Sequence, residues 1–350
     1  MKQTFYSIQA LRGLAASLVV IAHIFEHPSR GDPNALLLTG RFGVEIFFII
    51  SGFVMTHVAG QGAFAPGAFA ARRILRILPL YWVCTLLVFA VALAAPALFK
   101  TTTADVKHLV LSLFFIPAPD PQAASDWRPL FKLGWTLNYE MFFYAALLTL
   151  FWCRKRIQRS VILTAALGAL VLLSFAIPPK ANILAFYANI ALIPFLVGVW
   201  LAEASALFER IPRIGAIALV AAAALSTAWL YQLPFDSMRD VAPHLVMTLA
   251  ATLIVASGLA LERRCPRRGF VQMVGNSSYS LYLTHMFVVG AAWAAIERVE
   301  LPTALHWGLT PLIYGAALVV AYASYRVIEL PFNRLAHRLT QRPMRAAIAE

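Results

Sequence analysis

Ten apolar stretches divide the chain, near residues 8–25, 42–59, 77–99, 133–152, 160–178, 183–202, 214–233, 242–261, 271–296 and 308–328. A helical stretch of about 17–25 apolar residues matches the thickness of a bilayer's hydrocarbon core. Inside that core every backbone N–H and C=O has to be satisfied without water, which for such stretches means helices. The expected fold class is therefore all-α, a polytopic membrane protein with about ten transmembrane helices. Composition agrees: 61% of residues are hydrophobic and only 13% charged, where soluble domains average about 25% charged.

The formal net charge of +13 alone would allow a nucleic-acid partner. The basic residues, however, alternate by loop. Lys2, Arg72, Arg73, Arg76, the cluster from Arg154 to Arg159, Arg210, Arg213, the cluster from Arg263 to Arg268 and the tail Arg334, Arg338, Arg342 and Arg345 fall on one side. Arg30, Arg41, Lys100, Lys107, Arg128, Lys132, Lys180, Arg239 and Arg298 are spread thinly on the other. By the positive-inside rule the heavier side is cytoplasmic and, with ten spans, both termini share it. This pattern argues against nucleic acid and divides the chain into a membrane domain over 1–335 and a basic cytoplasmic tail over 336–350. Cys84, Cys153 and Cys265 lack metal-ligand spacing and read as free thiols, so no metal is expected.

The first stretch, IQALRGLAASLVVIAHIF, carries two residues that hydrocarbon does not tolerate cheaply, Arg12 and His23. A charged group there costs at least ~2.5 kcal/mol and is by default a functional-site candidate. Eleven positions put the two within roughly 20° of one helix face and about 16 Å apart along it, at the two ends of one long site. Arg12 also suits an ordinary snorkelling anchor. The second stretch, RFGVEIFFIISGFVMTHV, brings Glu45 to a similar depth as His23, and a carboxylate beside an imidazole would fix which nitrogen carries the proton. An Arg41–Glu45 pair one turn apart is the alternative.

Further along, AARRILRILPLYW sets Arg73 and Arg76 three apart on one helix face, a spacing suited to phosphate capture and equally to a positive-inside flank. The long loop from Lys100 to Lys132, with its short apolar piece DVKHLVLSLFFIP, is a candidate lid on the acceptor side. LGWTLNYEMFFYAALL buries Glu140 with Tyr144 at i+4. Glu140 suits a polar cavity or protonated interhelical glue. Gly52, Gly168 and Gly198 suit close helix contact. Ser278, Tyr282 and His285 in SYSLYLTH follow i, i+4, i+7, one polar stripe that lines a cavity or merely bonds a neighbouring helix.

Taken in order, IQALRGLAASLVVIAH, FGVEIFFIISGF, RRILRILPLYW, LGWTLNYEMFFY, SYSLYLTH and the final IELP make the chain resemble acyltransferase family 3. That family comprises integral membrane O-acyltransferases, among them O-antigen, exopolysaccharide and Nod-factor acetylases. The resemblance runs from Ile8 to Pro331. It implies a cytoplasmic acyl-CoA donor, usually acetyl-CoA, and a carbohydrate hydroxyl acceptor, extracytoplasmic or lipid-linked, for a multi-pass protein of the bacterial inner membrane. It also implies that His23 is the catalytic residue with Arg12 as companion, and that Arg73 and Arg76 meet the CoA phosphates. Glu45 stands where many relatives have Asp. The joint expectation is a general base, His23, oriented by Glu45, with Glu140, Ser278, Tyr282 and His285 lining the substrate cavity. The rival is a transporter or exporter whose intramembrane ionisable groups form an ion or proton path.

Overall fold

The computed structural model describes the backbone of residues 5–26, 33–99, 101–178, 182–233, 240–299 and 303–346; side chains of 33–37, 303–307 and 341–346 are not described. Lys2, Arg30, Lys100, Lys180 and Arg239 of the charge count lie outside the described residues, as do the side chains of Arg342 and Arg345. The helices run α1 (Tyr6–Phe25), α2 (Pro33–Ala59), α3 (Pro66–Ala94), α4 (Val106–Leu113), α5 (Trp135–Leu148), α6 (Arg156–Leu173), α7 (Ile183–Tyr187), α8 (Ile193–Glu203), α9 (Ser205–Phe208), α10 (Arg213–Leu230), α11 (Val241–Ala260), α12 (Phe270–Asn276), α13 (Ser278–Arg298), α14 (Thr303–Ser324) and α15 (Leu330–Ala346). Among the described residues there is no β-sheet, only an isolated bridge between Asp120 and Ala123.

Eight of the described helices are long and apolar enough to cross a membrane, by length and composition. The fourth and sixth apolar stretches fold differently from a single long helix. The fourth is a 3-10 turn leading into the 14-residue α5. The sixth is divided at Ala188 and Asn189 into α7 and a second helical stretch, Ile190–Glu203. The last span continues through a π-helical turn at Tyr325–Glu329 into α15, which runs across the expected boundary at 335/336.

The described chain forms two compact units. The first comprises residues up to Val54 and Ile193–Tyr325. Here α1 packs on two sides at once. Ile8 and Ala15 join Ile46, Ile49, Phe53, Ala251 and Val255 in one apolar cluster. Ala16, Val20 and Ile24 join Leu281, Val289, Trp293, Ala317 and Ala321 in another. Small residues at 15 and 16 allow that close approach on both sides. The start of α1 has no acidic residue of its own; Glu262 supplies the carboxylate, accepting from Tyr6 N at 2.8 Å, Ser7 N at 2.9 Å and Ser7 Oγ at 2.5 Å. A negative group there satisfies orphan N–H donors and complements the helix dipole.

Gly52 and Gly198 mark the crossing of α2 and α8: a Cβ at Gly52 would strike Phe195 O, and one at Gly198 would strike Ile49 O. This is the close contact their residue type predicted. Gly168 differs, for a Cβ there meets nothing within 4 Å.

The second unit comprises Met55–Leu192 and Arg326–Glu350. Its α3 packs against α4, α5 and α15. Arg159, 2% exposed, ties its loops together: Nη1 donates to Gly62 O and Cys153 O, both at 2.7 Å, and Nη2 donates to Gly60 O and Ala59 O. Gly60 and Gly62 sit at φ of +61° and +80°, a region that favours glycine.

Candidate active site

In the first unit, His23 occupies the last turn of α1 and His285 the middle of α13. His285 Nε2 lies 3.3 Å from His23 Nδ1, with ring centroids 5.0 Å apart. His23 Nδ1 also lies 2.9 Å from Val19 O, one turn back. A carbonyl oxygen only accepts, so this partner assigns the ring hydrogen of neutral His23 to Nδ1 and leaves Nε2 with its lone pair. Nε2 is 3.7 Å from the Glu26 carboxylate, whose side chain is 64% exposed, and the His23 side chain itself is 23% exposed. An imidazole anchored at one nitrogen, with a lone pair on the other and part of its surface exposed, has the form of a proton acceptor.

His285 is fully buried and its Nδ1 lies 3.1 Å from Leu281 O. Its neighbours on the same stripe, Ser278 and Tyr282, are buried too, and Ser278 Oγ has no hydrogen-bond partner. Tyr282 stacks edge-on with Phe47, centroids 5.9 Å apart. The stripe predicted from SYSLYLTH is thus real in register, but its histidine meets the first-helix histidine. Arg12 is partly buried on α1.

Glu45 does not reach His23. Its carboxylate accepts from Thr248 Oγ1 at 2.9 Å and lies 3.3 Å from His244 Nδ1, both on α11. The Glu45 and His244 side chains are 7% and 6% exposed. Arg41, one turn before Glu45, acts on the carboxylate electrostatically. The orienting role expected of Glu45 is therefore corrected: similar depth on α1 and α2 did not bring the two side chains together, because Glu45 faces α11 while His23 faces α13. His244 and Thr248 were not singled out from the sequence. The signal available was a histidine inside an apolar run, the same signal that marked His23.

In the second unit, Arg73 on α3 sets its guanidinium 6.0 Å from the centre of the Tyr144 ring, and Tyr144 OH donates to Glu140 within α5. The i, i+4 pair predicted on α5 is formed, and an arginine stands over it. Arg73 Nε is buried without a hydrogen-bond partner. Arg76 follows one turn later, partly exposed. Arg72 turns elsewhere and donates from Nε to Thr340 Oγ1 on α15 at 2.9 Å.

The loop expected to act as a lid is fastened in place within this unit. Lys132 Nζ reaches Asp120 at 2.6 Å and Asp126 at 3.1 Å, and Arg128 pairs with Asp126 at 2.8 Å. Tyr81 OH donates to Ser112 O at 3.0 Å, Ser112 Oγ accepts from Leu130 N at 2.9 Å, and Tyr187 OH donates to Phe115 O at 3.2 Å. Burial works to raise Asp120 and Asp126, but the bonds from Lys132, Gln122 and Arg128 outweigh it and both carboxyls fall below their ordinary range. Burial lowers His108, which is 4% exposed and lies 3.2 Å from Arg128 O. Among the described residues no group of three or more His, Cys, Asp or Glu is placed to hold a metal ion.

Eight membrane-length helices among the described residues, with two histidines from different helices meeting among them, define the class as a helical multi-pass membrane protein. The acyltransferase-domain family model, family 3, matches residues 5–326, and the chain belongs to that family. It is 29% identical over 302 residues to the exopolysaccharide production protein ExoZ of Rhizobium meliloti, covering 84% of this chain and 90% of that protein. It is 29% identical over 371 residues to nodulation protein 10 of Rhizobium leguminosarum bv. viciae, covering 96% and 95%. A Staphylococcus aureus protein whose name gives it provisionally as an O-acetyltransferase is 25% identical over 367 residues, covering 93% of this chain and 57% of that protein. No solved structure matches the chain.

Proposed function

We propose that this multi-pass membrane acyltransferase moves an acyl group, usually acetyl, from acyl-CoA to a hydroxyl of a carbohydrate. His23 serves as general base. The observation that carries the reading is the hydrogen bond of His23: Nδ1 donates to Val19 O, which leaves Nε2 unprotonated on a side chain that is 23% exposed. In the step proposed, Nε2 takes the proton of the acceptor hydroxyl as that oxygen bonds to the thioester carbonyl carbon. The C–S bond then breaks, and His23 returns the proton from Nε2 to the departing thiolate. Arg12 on the same helix is the companion cation.

Arg73 and Arg76 bind the CoA phosphates. The buried, unpartnered Nε of Arg73 suits an anionic ligand, because a guanidinium prefers bidentate contacts and one of its donors is unused. Glu140, bonded to Tyr144 beneath Arg73, then orients that guanidinium. Ser278 and Tyr282 remain candidates for substrate contact. The name of ExoZ supports an exopolysaccharide-type acceptor, and the loop distribution of Lys and Arg supports cytoplasmic termini in a bacterial inner membrane.

The deciding experiment uses purified protein with acetyl-CoA and a thiol reagent, with and without a lipid-extracted oligosaccharide fraction. Acceptor-dependent release of free CoA is expected. Absence of release with every glycan fraction, together with glycan transport into vesicles, would favour the exporter reading instead.

A further inference from the structure

The two histidines that meet in the first unit do not have interchangeable roles. His285 Nδ1 lies 3.1 Å from Leu281 O and so must carry that ring's hydrogen. His285 Nε2 is then an acceptor only, and it points at His23 Nδ1 from 3.3 Å. His285 is 0% exposed, so water does not compete for that lone pair. His23 Nδ1–H is therefore shared between two acceptors, Val19 O and His285 Nε2, on different helices. Val19 O belongs to the helix of His23 and by itself permits the ring to swing about χ1 and χ2. The second acceptor, on α13, fixes the ring plane against an independent element.

We propose that His285 is the positioning residue of the base: its Nε2 holds His23 in the tautomer whose Nε2 is basic, the task usually given to a carboxylate. This rests on the reading of His23 as the base. The choice of a neutral partner has a chemical consequence. A buried carboxylate at Nδ1 in place of His285 would add a full, unscreened opposite charge and hold the proton on His23, whereas Glu26, 3.7 Å from Nε2, is 64% exposed and screened by solvent. A neutral imidazole orients the ring while adding only a dipole, so His23 remains able to give the proton back to the thiolate. Of the carboxylates nearby, Glu45 is occupied by Thr248 and His244, and the exposed Glu26 lies 3.7 Å from Nε2 rather than at the anchored Nδ1.

The test compares three substitutions that mimic different parts of the imidazole. His285→Gln places an oxygen near the position of Nε2 and preserves the acceptor. His285→Asn reaches only the position of Nδ1 and loses it. His285→Leu loses both. Protein with ring-15N-labelled histidine is reconstituted in nanodiscs, and the His23 signals are identified by their disappearance in His23→Ala. Wild type and His285→Gln are expected to show a protonated Nδ1 and an unprotonated Nε2 for His23; His285→Asn and His285→Leu are expected to show mixed tautomers.

With acetyl-CoA and the oligosaccharide fraction, kcat should fall about 10–100-fold in the Asn and Leu variants, the size seen when the hydrogen-bond partner of a ligating histidine is removed. KM for acetyl-CoA should be unchanged, and Gln should recover most of the loss. If Leu does not fold, as judged by gel filtration and thermal unfolding, the Gln and Asn pair carries the comparison. An unchanged His23 spectrum in His285→Asn, or equal impairment of Gln and Asn, overturns the proposal. Full activity of folded His23→Ala would instead overturn the base assignment beneath it, so the two failures are told apart.

Discussion

Among its described residues the first unit contains two histidine pairs, one buried and one partly exposed, and they are built on opposite plans. His244 on α11 meets a carboxylate, Glu45 on α2, and both side chains are at most 7% exposed. His23 on α1 meets another histidine, His285 on α13, and keeps 23% of its side chain exposed with Nε2 at the open edge. The first pair is closed: Glu45 also accepts from Thr248, and the ion-pairing groups face one another. The second pair is anchored at His23 Nδ1 and partly exposed at Nε2, where the solvent-exposed Glu26 lies 3.7 Å away. A histidine with a carboxylate is the arrangement that sequence reasoning looks for in a catalytic dyad. Here the accessible nitrogen has only the exposed Glu26 carboxylate, 3.7 Å away, while the buried carboxylate serves the closed pair, so the two pairs differ in access to a ring nitrogen rather than in the presence of a charge.

The sharpest way to break this comparison is to remove each histidine in turn. His23→Ala should cost roughly 10²–10⁴ in acyl transfer, the usual worth of a positioned general base, with expression and thermal unfolding unchanged. His244→Ala should leave transfer by the folded fraction within a few-fold of normal. Reversal of that order in a radiolabelled transfer assay would exchange the roles of the two pairs.

Glu45→Ala sharpens the contrast through stability. Leaving His244 and Thr248 buried without their acceptor should cost about 1–3 kcal/mol, read as a lower unfolding temperature in detergent, while kcat per folded molecule is retained. Loss of transfer with no loss of stability would return Glu45 to the catalytic group.

In the second unit, Arg73→Ala should raise KM for acetyl-CoA about tenfold, equivalent to one charge-assisted hydrogen bond of about 1.5 kcal/mol. KM for the glycan should not move. Equal changes in both constants would make Arg73 a structural partner of Tyr144.

The smallest effect is expected in the fastened loop. His108, Asp120 and Asp126 all have pKa values lowered by folding. Groups of that kind stabilise the fold fully above their unfolded values and lose that contribution as pH falls through the folded ones. Amide exchange over residues 105–132 should therefore rise on acidification, first below about pH 6.5 from His108 and further below about pH 4 from the carboxylates. Exchange that is flat from pH 7 to 4 would show that apolar packing alone holds the loop.

Much of this was legible in the sequence because hydrocarbon penalises exceptions so strongly. Arg12, His23, Glu45, Glu140 and His285 stand out from apolar runs, and the i, i+4 pairing of Glu140 with Tyr144 follows from helix geometry. What could not be read was which helix each exception faces. Glu45 was expected to orient His23 because the two stood at similar depth; depth leaves the azimuth of a side chain undetermined, and Glu45 turns toward α11. Arg72 and Arg73 are adjacent in sequence, yet one bonds α15 and the other stands over α5. Arg159 was counted as a loop charge, though it is 2% exposed and bonded to four carbonyls. The carbonyls of Gly60, Gly62, Ala59 and Cys153 acquire a common focus only once the loops are folded.

The general-base role of His23 is tested most directly by incubating purified protein with [14C]acetyl-CoA in the absence of acceptor and quenching with acid. No label should remain on the protein, and label should pass to glycan, with release of CoA, only when the oligosaccharide fraction is added. Stoichiometric label on the protein, absent from His23→Ala, would contradict this and make His23 a nucleophile that carries the acyl group itself.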